Sequence, residues 1–127
     1  MVQKEVADRI VSKPNSKVYG RLSVSIQARC TAEKVFDVKP TAFYPKPKVM
    51  SSLVKISPKP PLDMTIDAEL NQILILAFNQ RRKKISNSLK DAFTIDEIKK
   101  LGIDPESRPE NLTVNEFLRL SKRGIKQ

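Results

Sequence analysis

Two stretches of this 127-residue chain carry side chains able to do chemistry on a ligand. The first is Ala42 to Val49, AFYPKPKV, where Phe43 and Tyr44 stand side by side, Pro45 and Pro47 stiffen the backbone, and Lys46 and Lys48 add charge. An aromatic face on a rigid cationic loop suits single-stranded nucleic acid. A base stacked on the ring is worth ~1–3 kcal/mol, lysines hold phosphates, and proline lowers the ordering cost. The competing reading is that Phe43 and Tyr44 plug a core at a strand end, where most aromatic side chains belong. The second stretch is Phe78 to Lys90, FNQRRKKISNSLK. Arg81, Arg82, Lys83 and Lys84 are consecutive there, Asn79, Gln80 and Asn87 add neutral hydrogen-bonding groups, and Phe78, Ile85 and Leu89 can anchor the segment. Read as a helix, the four cations splay over more than one turn and can lie along a phosphate backbone. A charge run is usually a solvated face, which is the alternative.

Other chemistries are excluded by residue type. The chain has no histidine and a single cysteine, Cys30. Ser-His and Cys-His dyads are therefore impossible, as are ordinary His/Cys zinc sites, and no metal is expected. Gly20, Gly102 and Gly124 are the only glycines, so there is no glycine-rich cradle for a phosphate or dinucleotide. The acids are scattered, and no pair is made catalytic by spacing. The residues taken alone argue against a self-contained enzyme. They do favour a polyanionic partner: net charge is +10 and the pI is about 9.9. Residues 1–60 hold 12 Lys/Arg against 4 Asp/Glu, whereas residues 61–127 hold 12 against 10. In the nearly balanced second half, the local run 81–84 matters more than the total, because salt limits electrostatic reach to ~8–10 Å. No apolar run approaches the ~18 residues of a membrane span, and no basic helix has an aromatic-rich opposite face. Charges at Lys4, Glu5, Asp8 and Arg9 spoil a signal-peptide pattern. A lone cysteine is compatible with a reducing cytoplasm, the expected location.

The elements that must position these stretches can be read from periodicity. Residues 4–12 place Val6, Ile10 and Val11 on one helical face, and Pro14 then breaks the chain. A second helix is predicted from about Lys17 to Arg29, since Arg21, Ser25 and Arg29 share one stripe; Leu22, Val24, Ile26 and Ala28 also read as strand alternation. Residues 34–38 and 49–56 read as strands that pair as an antiparallel hairpin across the proline-rich loop. Pro58 to Pro61 is linker-like and divides an α/β piece, residues 1–60, from an all-helical piece, residues 61–127. Leu70, Ile73, Leu74, Ala77 and Phe78 form a broad apolar helical face, continued through a basic helix over 81–90 that follows a kink near Gln80. Thr94-Ile-Asp-Glu97 and Thr113-Val-Asn-Glu116 are capping boxes, each opening a short helix; Gly102 and Gly124 close them. A lone hairpin is marginal in water and its edges invite other strands. Either residues 1–60 are the remnant of a larger sheet, or these elements pack on the helices as a small α+β domain.

The chain resembles the KsgA/RsmA-type 16S rRNA adenine dimethyltransferase family in six strings in register: MVQKEVADRI from Met1, YGRLSV from Tyr19, FYPKPKV from Phe43, FNQRRKK from Phe78, LGIDP from Leu101, and RPENL from Arg108 followed by Glu116-Phe-Leu118. The segment at Phe78 favours this branch over the erythromycin-resistance methyltransferases, which share the loop at Phe43. The resemblance implies the carboxy-terminal end of a Rossmann-like methyltransferase sheet, two helices and an antiparallel strand pair, followed by a small helical domain that docks on the ribosome. Residues 1–4 would be the tail of a central strand. It implies a parent enzyme that uses S-adenosylmethionine to dimethylate two adjacent adenines near the 3′ end of small-subunit rRNA, on the immature 30S subunit. Phe43 would stack on the target adenine, while Lys46, Lys48, Arg81, Arg82, Lys83 and Lys84 would bind RNA. The family's cofactor loop, acidic ribose-binding residue and catalytic motif would lie before residue 1. The chain alone is thus expected to bind no cofactor, to be inactive, and to self-associate through exposed sheet edges. Two other classes compete: a stand-alone, non-enzymatic RNA-binding or ribosome-assembly module, and a DNA-binding protein reading a groove with the 81–90 helix.

Overall fold

A computed structural model describes residues 1–42 and 50–124. The strands expected at 34–38 and 49–56 are longer, running Cys30–Val38 (β2) and Ser51–Pro58 (β3), and they pair antiparallel. A third strand, Val2–Gln3 (β1), pairs antiparallel with the other side of β3, so the hairpin is part of a three-stranded sheet of order β1-β3-β2. Within this sheet β1 is an edge strand. A bulge at Val35 sets which face each β2 residue joins. Lys34 pairs with Val54, but Phe36 pairs with Leu53, so two residues of β2 advance against one of β3. Pleat alternation then keeps Lys34, Asp37 and Ser52 on one face and moves Phe36 to the other, beside Leu53.

The helix Lys4–Val11 (α1) covers the Lys34 face. It buries Ala7 and Ile10 and is tied down by charge. Lys34 Nζ lies 3.0 Å from Asp8 Oδ1 and 3.2 Å from Asp37 Oδ1, Lys4 Nζ donates to Asp8 Oδ2 at 2.8 Å, and Ser52 Oγ donates to Asp37 Oδ1 at 2.6 Å. The next element, Arg21–Arg29 (α2), is the helix of the two readings left open, but it begins four residues after the expected start. The reason is Tyr19. Its ring is fully buried and its hydroxyl donates to Leu112 O at 2.8 Å, which needs residues 17–19 turned aside from a helical path. Burial, with the Glu116 carboxylate nearby, pushes the Tyr19 phenol up, so it stays protonated and donating.

The proline-rich 58–61 segment is strapped in place: Lys59 N–H donates to Arg29 O at 3.0 Å and Lys59 Nζ to Gln27 O at 2.7 Å. Asp63 then caps Met64–Asn79 (α3), accepting from Thr65 N–H at 2.8 Å. The two capping boxes form as expected. Thr94 opens Ile95–Lys100 (α5) and Thr113 opens Val114–Arg123 (α6), each threonine hydroxyl accepting from the N–H of the glutamate three residues on. Gly102, after α5, has φ +77°, a left-handed conformation that favours glycine. One continuous core joins Tyr19, Val24 and Ala28 to Leu70, Ile73, Leu74, Phe117 and Leu120. Arg29 adds a polar bridge from α2 to α3, donating from Nε to Asp67 Oδ1 at 2.6 Å and from Nη2 to Asn71 Oδ1 at 3.0 Å.

The expected basic helix over 81–90 does not form. α3 stops at Asn79, and Gln80 to Lys83 make a turn closed by Lys83 N–H donating to Gln80 O at 2.9 Å. Helix resumes only for Ile85–Ser88 (α4). Packing and hydrogen bonding explain the break. Ile85 and Leu89 are both fully buried in the core that α3 already lines, so the chain must change direction. The loop before α6 also takes the first backbone donors: Ile85 N–H reaches Ser107 O at 2.7 Å and Ser86 N–H reaches Pro105 O at 3.2 Å. A groove-reading helix is thereby removed from the candidate functions.

Candidate nucleic-acid interface

The four consecutive cations sit on the turn, and the fold divides them into two pairs. Arg81 points back into the protein. Its Nη2 donates to Lys17 O at 2.9 Å and to Tyr19 O at 2.6 Å, its guanidinium carbon lies 6.0 Å from the centre of the Phe78 ring, and Glu110 Oε2 is 3.8 Å away. Phe78 in turn packs edge-on to Tyr19 and against Phe117. Arg81 is therefore a strut that fixes the α1–α2 loop to the end of α3. That loop is held at a second point, where Asn15, at φ 73°, donates its N–H to Glu110 O at 2.7 Å and accepts from Asn111 Nδ2 at 2.7 Å. Lys84 is also engaged, in an ion pair with Glu106.

Arg82 and Lys83 are different. Both are exposed, and neither side chain makes a hydrogen bond or ion pair among the described residues. They project from a turn whose two flanks are anchored, by Arg81 and Phe78 before them and by buried Ile85 after them. A fixed platform carrying two unpaired, solvated cations is what a phosphate contact needs, since the charges lose little freedom on binding and are not already neutralised. The sequence thus named four RNA-binding residues where the structure leaves two free. The partners that divide the run lie far along the chain, Glu106 for Lys84 and Lys17 and Tyr19 for Arg81, where local pattern gives no signal.

Phe43, Lys46 and Lys48 lie outside the described residues. Around them, Pro40–Ala42 forms a 3₁₀ turn leading out of β2, and Met50 O accepts from Lys4 N–H at 2.9 Å where the chain enters β3. Beside the cationic turn the structure gathers Asn79, Gln80, Lys83 and Asn87, named from the sequence, with Ser88 and Asp91, which the sequence did not single out. Asn79, Gln80 and Lys83 face Asn87, Ser88, Lys90 and Asp91 across a pocket of about 260 Å³. Among the described residues no cluster of His, Cys, Asp or Glu is arranged to hold a metal, and no helix is long and apolar enough to cross a membrane.

Comparison with known proteins gives a consistent result. Residues 1–126 match the family model for ribosomal RNA adenine dimethylase. The chain is 46% identical over 123 residues to a ribosomal RNA small subunit methyltransferase A from Idiomarina loihiensis, covering 95% of this chain and 43% of that protein. It is 47% identical over 126 residues to the protein of the same name from an Enterobacter strain, covering 95% and 45%. The chain spans less than half the length of these relatives. Among solved structures, a dimethyladenosine transferase from Plasmodium falciparum superposes with a TM-score of 0.83 at 28% identity, over 97% of this chain and 56% of that one. The fold is also shared with the 23S rRNA methyltransferase ErmE, at a TM-score of 0.67 and 22% identity, over 95% and 51%.

Proposed function

The chain belongs to the ribosomal RNA adenine dimethylase family, and on that premise we propose that it supplies the RNA-docking part of an S-adenosylmethionine-dependent enzyme. The parent would dimethylate two adjacent adenines near the 3′ end of small-subunit rRNA on the immature 30S subunit. In this reading residues 1–60 belong to the methyltransferase domain and residues 61–127 to a helical docking domain. The observation that carries it is the anchored turn with Arg82 and Lys83 unpaired and exposed, in a chain of net charge +10.

The glycines among the described residues form no cradle for the methyl donor. Gly20 lies beside the Arg81 guanidinium, Gly102 beside Arg119, and Gly124 at the end of α6, so the glycines serve three separate turns and form no cradle. In this reading the chain contributes binding and orientation. Arg82 and Lys83 would take backbone phosphates, and Arg81 would keep their platform square to the core. Phe43 would stack on the extruded adenine, and Lys46 and Lys48 would hold its flanking phosphates.

Reversing both free charges, Arg82→Glu with Lys83→Glu, should weaken binding to small-subunit rRNA and reduce the slope of log affinity against log salt by about two. Measured by filter binding over a salt series, an unchanged slope overturns the docking role. A second reading, a stand-alone ribosome-assembly module with no catalytic part, rests on the same turn and on the absence of a donor cradle among the described residues. Mass spectrometry of the native product separates the two: a mature protein of 127 residues favours the module.

The sheet supports one more element of the proposal, self-association. Val35, Phe36 and Ile56 are 48–53% exposed on short strands with open edges among the described residues. Sedimentation velocity should show mass rising with concentration, and a monomer at every concentration rejects it.

A further inference from the structure

The pocket beside the cationic turn has an unusual property. Seven polar side chains line it, yet Asn79, Gln80, Lys83, Asn87, Ser88, Lys90 and Asp91 make no side-chain hydrogen bond or ion pair among the described residues. Their neighbours Arg81 and Lys84 are both engaged. Most of the seven are exposed, and water can satisfy them. Ser88 is the exception, because its hydroxyl is shielded from solvent and has no partner. Shielded polar groups in folded proteins are nearly always paired, so this hydroxyl calls for a partner that the described residues do not supply.

The lining says what kind. Lys83 and Lys90 call for an anion. Asp91 in the same wall speaks against a bare phosphate, which its carboxylate would repel. Three amides, each both donor and acceptor, match the edge of a nucleobase. Leu76, 38% exposed, offers an apolar surface to the face of a ring. The volume, about 260 Å³, falls below the ~300–1,000 Å³ of small-molecule and cofactor sites, and fits one base. Unpaired RNA bases are read in this way, on their hydrogen-bonding edges, with the backbone held separately.

We infer that this pocket takes one unpaired, amino-bearing base of RNA, with the adjoining phosphates on Lys83 and Lys90. Asp91, an acceptor only, accepts from the exocyclic amine of adenine, cytosine or guanine. Uracil offers Asp91 only its ring N3–H, flanked by two carbonyls that the carboxylate repels, and so binds less tightly. This inference rests on the docking role of the turn and adds base selectivity to it.

The test uses the 127-residue chain and four fluorescein-labelled octaribonucleotides: all-uridine, and uridine with a single central adenosine, cytidine or guanosine. At least one amine-bearing octamer should bind about fivefold or more tighter than the all-uridine one, the size of a specific base contact. Asp91→Ala should abolish that difference, so that all four octamers bind with one common affinity, whatever its new value. Arg82→Glu should weaken all four alike and keep their ratios. Equal binding of all four octamers overturns the base pocket, leaves the docking role standing, and directs attention to a protein partner for these side chains. A preference that survives Asp91→Ala also overturns it, because the base is then read elsewhere. If no octamer binds at any salt, the docking role and the pocket fall together.

Discussion

The helices and the sheet of this molecule treat apolar side chains in opposite ways. Every large, fully buried side chain among the described residues, Tyr19, Leu70, Ile73, Leu74, Phe117 and Leu120 included, comes from a helix or a helix-flanking loop. The strands contribute Ser52 to the fully buried set but no apolar residue, and they leave Val35, Phe36 and Ile56 about half exposed. α1 is held to the sheet both by buried Ala7 and Ile10 and by the chain of contacts through Asp8, Lys34, Asp37 and Ser52. The helical segment is stabilised by what it excludes from water; the sheet is stabilised by partly hydrated charge. The cationic turn proposed to meet RNA grows from the well-packed end. That is where a docking surface gains most, because a rigid base lowers the cost of ordering the groups it presents.

The sharpest way to break that contrast is a pair of aromatic substitutions. Phe117→Ala leaves a cavity where Phe78, Leu70 and their neighbours meet, and should lower the unfolding free energy by about 3–5 kcal/mol in a urea titration. Phe36→Ser, on the half-exposed sheet face, should change it by no more than about 0.5 kcal/mol. If Phe36→Ser costs as much as Phe117→Ala, that sheet face is covered in solution, and self-association becomes the first explanation to examine.

A smaller effect divides the cationic run. Arg81→Ala removes two hydrogen bonds to backbone carbonyls of the α1–α2 loop and should cost about 1 kcal/mol or somewhat more. The contribution of Glu110 to that figure is slight, since its contact is long and partly exposed. Arg82→Ala should leave stability unchanged within about 0.5 kcal/mol, and should show its effect on RNA instead. Thermal melts of the two variants beside their rRNA affinities separate a strut from a contact; identical behaviour in both assays ends the distinction.

Most of the architecture was legible because local signals agreed with one another. Thr94 with Glu97 and Thr113 with Glu116 marked two helix starts, Gly102 marked a stop, and the apolar face Leu70, Ile73, Leu74, Ala77 marked α3. The errors share one physical origin, long-range demand overriding local pattern. Tyr19 holds residues 17–19 out of α2 because its hydroxyl is required 93 residues away, at Leu112. The 81–90 helix breaks because Ile85 and Leu89 are needed in a core whose other wall is α3. No periodicity within the segment records either fact. At the site, the sequence offered four cations as equals on one helix and was blind to their partners: Lys17, Tyr19 and Glu106 lie far from Arg81 and Lys84 along the chain. The pocket residues Ser88 and Asp91 carried no signal at all, because their significance is that nothing in the fold uses them.

The gentlest probe of the contrast is pH. Asp8 is held below the ordinary carboxylate value by hydrogen bonds from Lys4 and then Lys34, and Asp37 by the Ser52 hydroxyl and then Lys34. Lys34 is raised above the ordinary lysine value by its bonds to Asp8 and Asp37. A carboxylate with a depressed folded value binds protons less readily folded than unfolded. Its stabilisation is therefore complete above the unfolded value of about 4 and is lost as pH falls through the lower folded value. For Lys34 the sign reverses: the stabilisation is complete below about 10.4 and is lost as pH rises through the higher folded value. The three groups act together across the neutral range and weaken at both ends. Because they serve the sheet and not the helical core, acid should loosen the two unequally. Amide protection factors in β2 and β3, corrected for intrinsic exchange, should begin to fall below about pH 4, while those of α3 and α6 hold. Lys34→Met should lower the sheet's protection at neutral pH and flatten its decline in acid. If α3 and the strands lose protection in step, the sheet and the helices open as one cooperative unit, and the difference in how they are held has no consequence for how they come apart.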